Sequence, residues 1–201
     1  MEKLILCSTS PRRIEILKDE FEIETVKPQI EEKIGFIEDP ISNCISLAFE
    51  KATSVAESFP NETILAADTI VVLDDKVLGK PKDREDAFKT LRSLSGREHK
   101  VITAFAIINL DKKIKYTDYA ISSVTFKELS DEDIEEYLDT GEYADKAGSY
   151  GIQGIGRKLV SHFEGSFLNI VGLPLEEVKD AIAKIDEGKL NGNLWEFKEF
   201  R

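Results

Sequence analysis

Apolar and polar positions along this chain switch between two periods, and each switch marks an element. Leu4-Ile5-Leu6-Cys7 is a short continuous apolar run, the pattern of a buried strand. Ile14, Leu17 and Phe21 then recur at spacings of three and four, which predicts a helix with Ser10 as N-cap and Pro11 as its first residue. Phe21 to Val26 alternates as a second strand and leads into an acidic, loop-like stretch, Pro28 to Glu32. Asp39-Pro40 opens a long helix by cap-plus-proline logic, with Ile41, Cys44, Ile45, Ala48, Ala52 and Val55 as its apolar stripe. Thr63 to Leu73 gives the strongest strand signal: it is apolar on either side of Asp68-Thr69, as in a central strand covered on both faces. Asp74-Asp75-Lys76 turns the chain, Val77-Leu78 returns it, and Gly79-Lys80-Pro81 ends the excursion. Asp83 caps a helix with Ala87, Phe88, Leu91 and Leu94 inward, and Gly96 closes it. Lys100 to Leu110 and Ile114 to Phe126 make a strand pair around Asp111-Lys112-Lys113, with His99 at its start. Ser130 begins an acidic helix with Ile134 and Leu138 inward, ended by Gly141. Residues 145–156 are glycine-dense and read as a loop. Leu159 to Phe163 is a further strand, and Gly172-Leu173-Pro174 opens a helix with Val178, Ile182 and Ile185 inward. From about residue 188 the tail is polar, and Trp195, Phe197 and Phe200 are expected to dock on the body or on a partner.

Helices and strands are interleaved throughout, which makes the fold class α/β. A length of 201 residues suits one large domain or two tightly joined lobes, and no repeat, low-complexity segment or linker interrupts it. A net charge of −12 argues against general binding to nucleic acid or to an anionic membrane. No apolar run approaches membrane-spanning length and no N-terminal signal pattern is present, so the expected location is cytoplasmic. Cys7 and Cys44 lack metal-ligand spacing and read as buried thiols in a reducing compartment.

Several stretches carry candidate chemistry. Ser8-Thr9-Ser10-Pro11-Arg12-Arg13 lies at a strand-to-helix turn, where open backbone N–H groups, a partial positive charge and two forked guanidinium groups suit phosphate oxygens. The same hexapeptide also fits a capped helix whose arginines lie in solvent. Asp68 is the strongest signal: a carboxylate within an apolar strand needs a metal, a cation or a hydrogen-bond network to satisfy it. Lys51 falls about 60° from the centre of its helix stripe, from where it either snorkels to water or reaches into a cleft. Lys80 is presented on a stiff Gly-Lys-Pro turn. Glu31-Glu32 could help to hold a divalent metal, or could be solvated surface charge. His99 reads as catalytic or structural. The glycine-dense segment is not a dinucleotide fingerprint. It either connects flexibly or lets backbone approach a flat ligand, with the Gln153 amide offering both a donor and an acceptor.

Taken together, these stretches resemble the Maf family of nucleoside triphosphate pyrophosphatases. The resemblance rests on Ser8 to Arg13, Lys51-Ala52, Ala67-Asp68-Thr69, Gly79-Lys80-Pro81, Ser95-Gly96 with His99 and Val101, Asp145 to Gly148 with Tyr150 to Gly154, and Asn169 to Pro174. These occur in family order over residues 3 to about 185. The resemblance implies one domain over residues 1–201. It implies an elongated mixed β-sheet flanked by helices, with two lobes about a central cleft, related to the inosine triphosphate pyrophosphatases. It also implies a homodimer. The implied reaction hydrolyses a nucleoside triphosphate to the monophosphate and pyrophosphate with Mg²⁺ or Mn²⁺. Asp68 would be the proton acceptor and a metal ligand, Glu32 a second metal position, and Ser8, Arg12, Arg13, Lys51, Thr69, Lys80 and Gln153 the substrate contacts. The acidic stretch departs from the family's Asp-x-Asp-Glu, reading Gln29-Ile30-Glu31-Glu32 here. Arg12, Thr69 and Gln153 match the dTTP/UTP branch, with CTP and modified pyrimidine nucleotides as further candidate substrates. The alternatives are a 7-methyl-GTP or broad-range pyrophosphatase of the same family, and a nucleotide-binding regulator of septum formation.

Overall fold

The computed structural model describes residues 3–30 and 39–190. Its elements run β1 (Lys3–Cys7), α1 (Pro11–Leu17), β2 (Glu22–Val26), α2 (Pro40–Ala56), β3 (Thr63–Leu73), β4 (Lys76–Leu78), α3 (Arg84–Leu94), β5 (Glu98–Asn109), β6 (Ile114–Phe126), α4 (Asp131–Leu138), β7 (Val160–Glu164), α5 (Phe167–Val171) and α6 (Leu175–Asp186). The strands form one mixed sheet in the order β2-β1-β3-β5-β6-β7, with β4 paired to β3 off this path. β1 runs parallel to both β2 and β3, whereas β3–β4 and β6–β7 are antiparallel. The expected α/β fold with a mixed sheet is therefore the observed one.

The element boundaries follow from local chemistry. The Asp39 carboxylate accepts the Ser42 N–H at 2.7 Å and starts α2, and Asp83 accepts the Asp86 N–H at 2.8 Å and starts α3. Ser130 and Asp133 form a reciprocal capping box on α4. The β3–β4 hairpin turns on Asp74 and Asp75, both in the left-handed region at φ 48° and 63°, a geometry that matches the twist of the flanking strands.

The chain divides into two compact units. The first comprises residues 1–68, 103–120 and 172–201, and the second residues 69–102 and 121–171, so β3, β5 and β6 each contribute to both. The first unit buries Leu4, Ile5, Leu6, Leu17, Ile64, Leu65, Phe105, Ile107 and Val178. The second buries Val71, Leu91, Leu94, Phe126, Ile134 and Tyr150. No helix among the described residues is long and apolar enough to cross a membrane.

Five expectations need correction or fall outside the described residues. Ser10 stands at the N-cap of α1 with extended backbone, but its side chain makes no cap hydrogen bond. α1 ends at Leu17, so Phe21 lies beyond it, its N–H still bonded to the Leu17 carbonyl at 2.9 Å. The glycine-dense segment is packed rather than an open connector: it forms 3-10 turns at Ala147–Ser149 and Gly154–Leu159 and buries Ser149, Tyr150 and Ile152. Trp195, Phe197 and Phe200 lie outside the described residues, as does Glu32.

Candidate active site

The first unit holds two of the predicted clusters. At the end of β1, the buried Ser8 hydroxyl oxygen accepts the Ser10 backbone N–H at 3.1 Å and an Arg13 Nη1–H at 3.4 Å. Arg13 also donates through Nε to the Gly172 carbonyl at 2.8 Å. Two acceptors from distant parts of the chain thus fix its guanidinium at the strand-to-helix turn. Arg12, on the first turn of α1, is half-buried.

The second cluster is the Lys51–Asp68 pair. Lys51 does not sit at the margin of its helix stripe. It shares the buried face of α2 with Cys44, Ala48 and Val55, at spacings of seven, three and four, while Ile41 and Ile45 are only half-buried. Its Nζ donates to Asp68 Oδ1 at 2.6 Å, with side-chain exposures of only 7% and 13%. The long aliphatic stem that would otherwise carry the ammonium to water carries it to a carboxylate instead.

Two thiols hold this pair from behind. Cys7 Sγ–H donates to the Lys51 carbonyl at 3.1 Å, which also accepts the Ser54 hydroxyl at 2.7 Å. Cys44 Sγ–H donates to the Asp68 carbonyl at 3.3 Å, and its sulfur lies 4.0 Å from Asp68 Oδ2. Burial pushes the Cys7 thiol up to about 11 and the Cys44 thiol up to about 12, the latter with help from the Asp68 charge. Both therefore stay protonated and act as donors. An ion pair removed from water gives back in attraction roughly what it loses in hydration, so stability alone is a poor reason to build one. A carboxylate positioned by a cation in a largely buried setting is, by contrast, what acid–base chemistry requires.

The second unit holds Thr69, Lys80 and Gln153. Thr69 is half-buried on β3; Lys80 and Gln153 are exposed. The Gly148 N–H donates to the Gly79 carbonyl at 3.1 Å, tying the Lys80 turn to the glycine-dense segment. His99 is structural in its contacts: it is 2% exposed, shares a 2.7 Å hydrogen bond with the Tyr150 hydroxyl, and meets Phe126 and Tyr150 edge-on. Burial pulls it down to about 4, so it stays neutral at physiological pH.

A match to the Maf-like protein family spans residues 3–185. The chain belongs to the Maf-like protein family. Among its Maf-like relatives, the dTTP/UTP pyrophosphatase of Pyrococcus furiosus is 50% identical over 175 residues, covering 87% of this chain and 91% of the relative. That of Clostridioides difficile is 49% identical over 182 residues, covering 90% and 94%. That of Caldanaerobacter subterraneus is 44% identical over 201 residues, covering 99% and 97%. In fold, the Maf-like chain is similar to the Staphylococcus aureus Ham1 protein, with a TM-score of 0.53 over 94% of this chain and all of that one; at 14% identity the likeness is one of fold alone.

Sequence reasoning did not find the role of Cys44 in this Maf-like site. A cysteine in an apolar stripe reads as core, and only the register of α2 against β3 reveals that its sulfur faces Asp68. Among the described residues no group of three His, Cys, Asp or Glu side chains could hold a metal by itself. Asp68 offers one carboxylate, and that suffices for a hard cation bound mainly through phosphates and water.

Proposed function

We propose that this Maf-like protein hydrolyses dTTP and UTP to the nucleoside monophosphate and pyrophosphate. The observation that carries the reading is the Lys51–Asp68 pair, largely buried and 2.6 Å long, in the same unit as the anchored Arg13. The names of the Pyrococcus furiosus and Clostridioides difficile relatives, at 50% and 49% identity, support the same substrates.

In this mechanism water attacks the α-phosphorus and Asp68 accepts its proton. The bond from the α-phosphorus to the bridging oxygen breaks, and pyrophosphate leaves with the electron pair. Negative charge grows on that leaving group, and Arg13, Lys51 and Lys80 are the cations assigned to it. Lys51 has a second duty, orienting the Asp68 carboxylate through its 2.6 Å contact. Ser8 holds Arg13 in place. Asp68 would hold Mg²⁺ or Mn²⁺ together with the substrate, with Glu32 assigned as a second ligand from the sequence, and the ion would supply further neutralisation of the phosphates. Arg12, Thr69 and Gln153 read the base. Uracil and thymine present an acceptor-donor-acceptor edge that a glutamine amide complements, whereas the neighbouring N–H donors of guanine suit a carboxylate better. The two reduced cysteines support a cytoplasmic setting.

The test is pyrophosphate release with Mg²⁺ or Mn²⁺ across dTTP, UTP, CTP, 7-methyl-GTP and the common purine triphosphates. Highest kcat/KM for dTTP and UTP is expected. Preference for 7-methyl-GTP would overturn the base assignment, and no release from any nucleotide would overturn the reaction.

A further inference from the structure

Gln153 is exposed and sits between glycines, yet the backbone beside it is clamped. The two oxygens of Glu142 accept two successive backbone N–H groups: Oε1 takes Ile155 at 3.1 Å and Oε2 takes Gly156 at 3.2 Å. Gly154, at φ +68°, leaves the room this needs, since a Cβ there would fall 2.6 Å from Glu142 Oε1. Gly156 is pressed on the Gly151 carbonyl oxygen so closely that no Cβ fits. The turn that follows Gln153 is thus fixed from outside by a carboxylate and from inside by backbone.

Glu142 is itself held. Its N–H donates to Thr140 Oγ1 at 3.2 Å, and that hydroxyl donates to the Tyr137 carbonyl at 2.6 Å, at the end of α4. Lys146 Nζ donates to the Glu142 carbonyl at 2.5 Å and to the Asp145 carboxylate at 2.7 Å. A line of hydrogen bonds therefore runs from a capped helix through Thr140 and Glu142 to the backbone beside Gln153. The chemistry of the clamp calls for a carboxylate. Two adjacent N–H groups, each on its own oxygen, need two acceptors, and a glutamine amide supplies one acceptor and one donor.

We propose that Glu142 is a positioning residue for base recognition: by chelating the Ile155 and Gly156 amides it fixes where the Gln153 amide meets a pyrimidine. The inference rests on the base-reading role proposed above for Gln153. Glu142 touches no reacting atom, so its loss acts through selectivity rather than through the hydrolytic step.

The experiment compares Glu142→Gln, Glu142→Asp and Gln153→Ala with the wild-type protein. It reads kcat/KM for dTTP relative to 7-methyl-GTP, together with amide hydrogen exchange over residues 153–156. Glu142→Gln should speed that exchange and lower the selectivity ratio about tenfold or more, since misplacement of a contacting group by an ångström can cost about a hundredfold. Glu142→Asp, which keeps both acceptors on a shorter stem, should fall between. Exchange unchanged in Glu142→Gln would overturn the clamp whatever Gln153 does. Faster exchange with an unchanged ratio, while Gln153→Ala does move the ratio, would overturn the positioning role and leave base reading intact. A ratio that Gln153→Ala leaves unmoved would overturn both.

Discussion

Replacing Lys51 with Met removes one partner of the largely buried ion pair. The substitution keeps much of the aliphatic stem and removes the ammonium 2.6 Å from Asp68, whose side chain is 13% exposed. Losing one partner of a buried pair costs about 3–5 kcal/mol. Urea denaturation of both proteins at pH 7 measures the deficit directly. A deficit below about 1 kcal/mol, the range of exposed pairs, would show that the contact contributes no more than a surface pair does.

Two further predictions concern groups behind the site. His99, neutral in the fold because burial pulls it down to about 4, should make the protein fully stable above its ordinary value of about 6.5 and cost up to about 3 kcal/mol as pH falls from there to 4. His99→Phe should flatten that part of the stability–pH profile, and an unchanged slope would show that His99 is not the group responsible. Cys7 and Cys44, raised to about 11 and 12 and buried, should resist iodoacetamide at pH 8 in the native protein and react once it is unfolded in guanidinium. Labelling of either in the native protein at the rate of a small free thiol would contradict the donor roles assigned to them.

Much of the fold was legible because its signals are local. The apolar run of β3 and the strand pair that ends in β6 show their full extents, Thr63–Leu73 and Ile114–Phe126, and Asp39, Asp83 and Ser130 announce three helices by capping chemistry. The five-residue α5 carries no comparable signal, being too short for a helical period to show. Asp68 stood out because a carboxylate in an apolar strand breaks the pattern. Lys51 was harder to read. A stripe drawn through the apolar residues of α2 is centred towards Ile41 and Ile45, whereas the true buried face is turned to include Asn43 and Lys51. Periodicity treats a lysine as solvent-facing and cannot know that a carboxylate waits on the neighbouring strand. Glu142 escaped for a different reason. Its partners are backbone amides, which look the same at every position of a sequence, and only the folded turn brings two of them onto one carboxylate.

The most direct test of the central claim is to hydrolyse dTTP in ¹⁸O-labelled water and identify both the products and the position of the label, with Asp68→Asn alongside. Asp68 as proton acceptor should give dTMP and pyrophosphate, the label on dTMP, and turnover reduced about a hundredfold or more in the variant, the usual contribution of a general base. Release of inorganic phosphate, label on the pyrophosphate, or undiminished turnover in Asp68→Asn would contradict it.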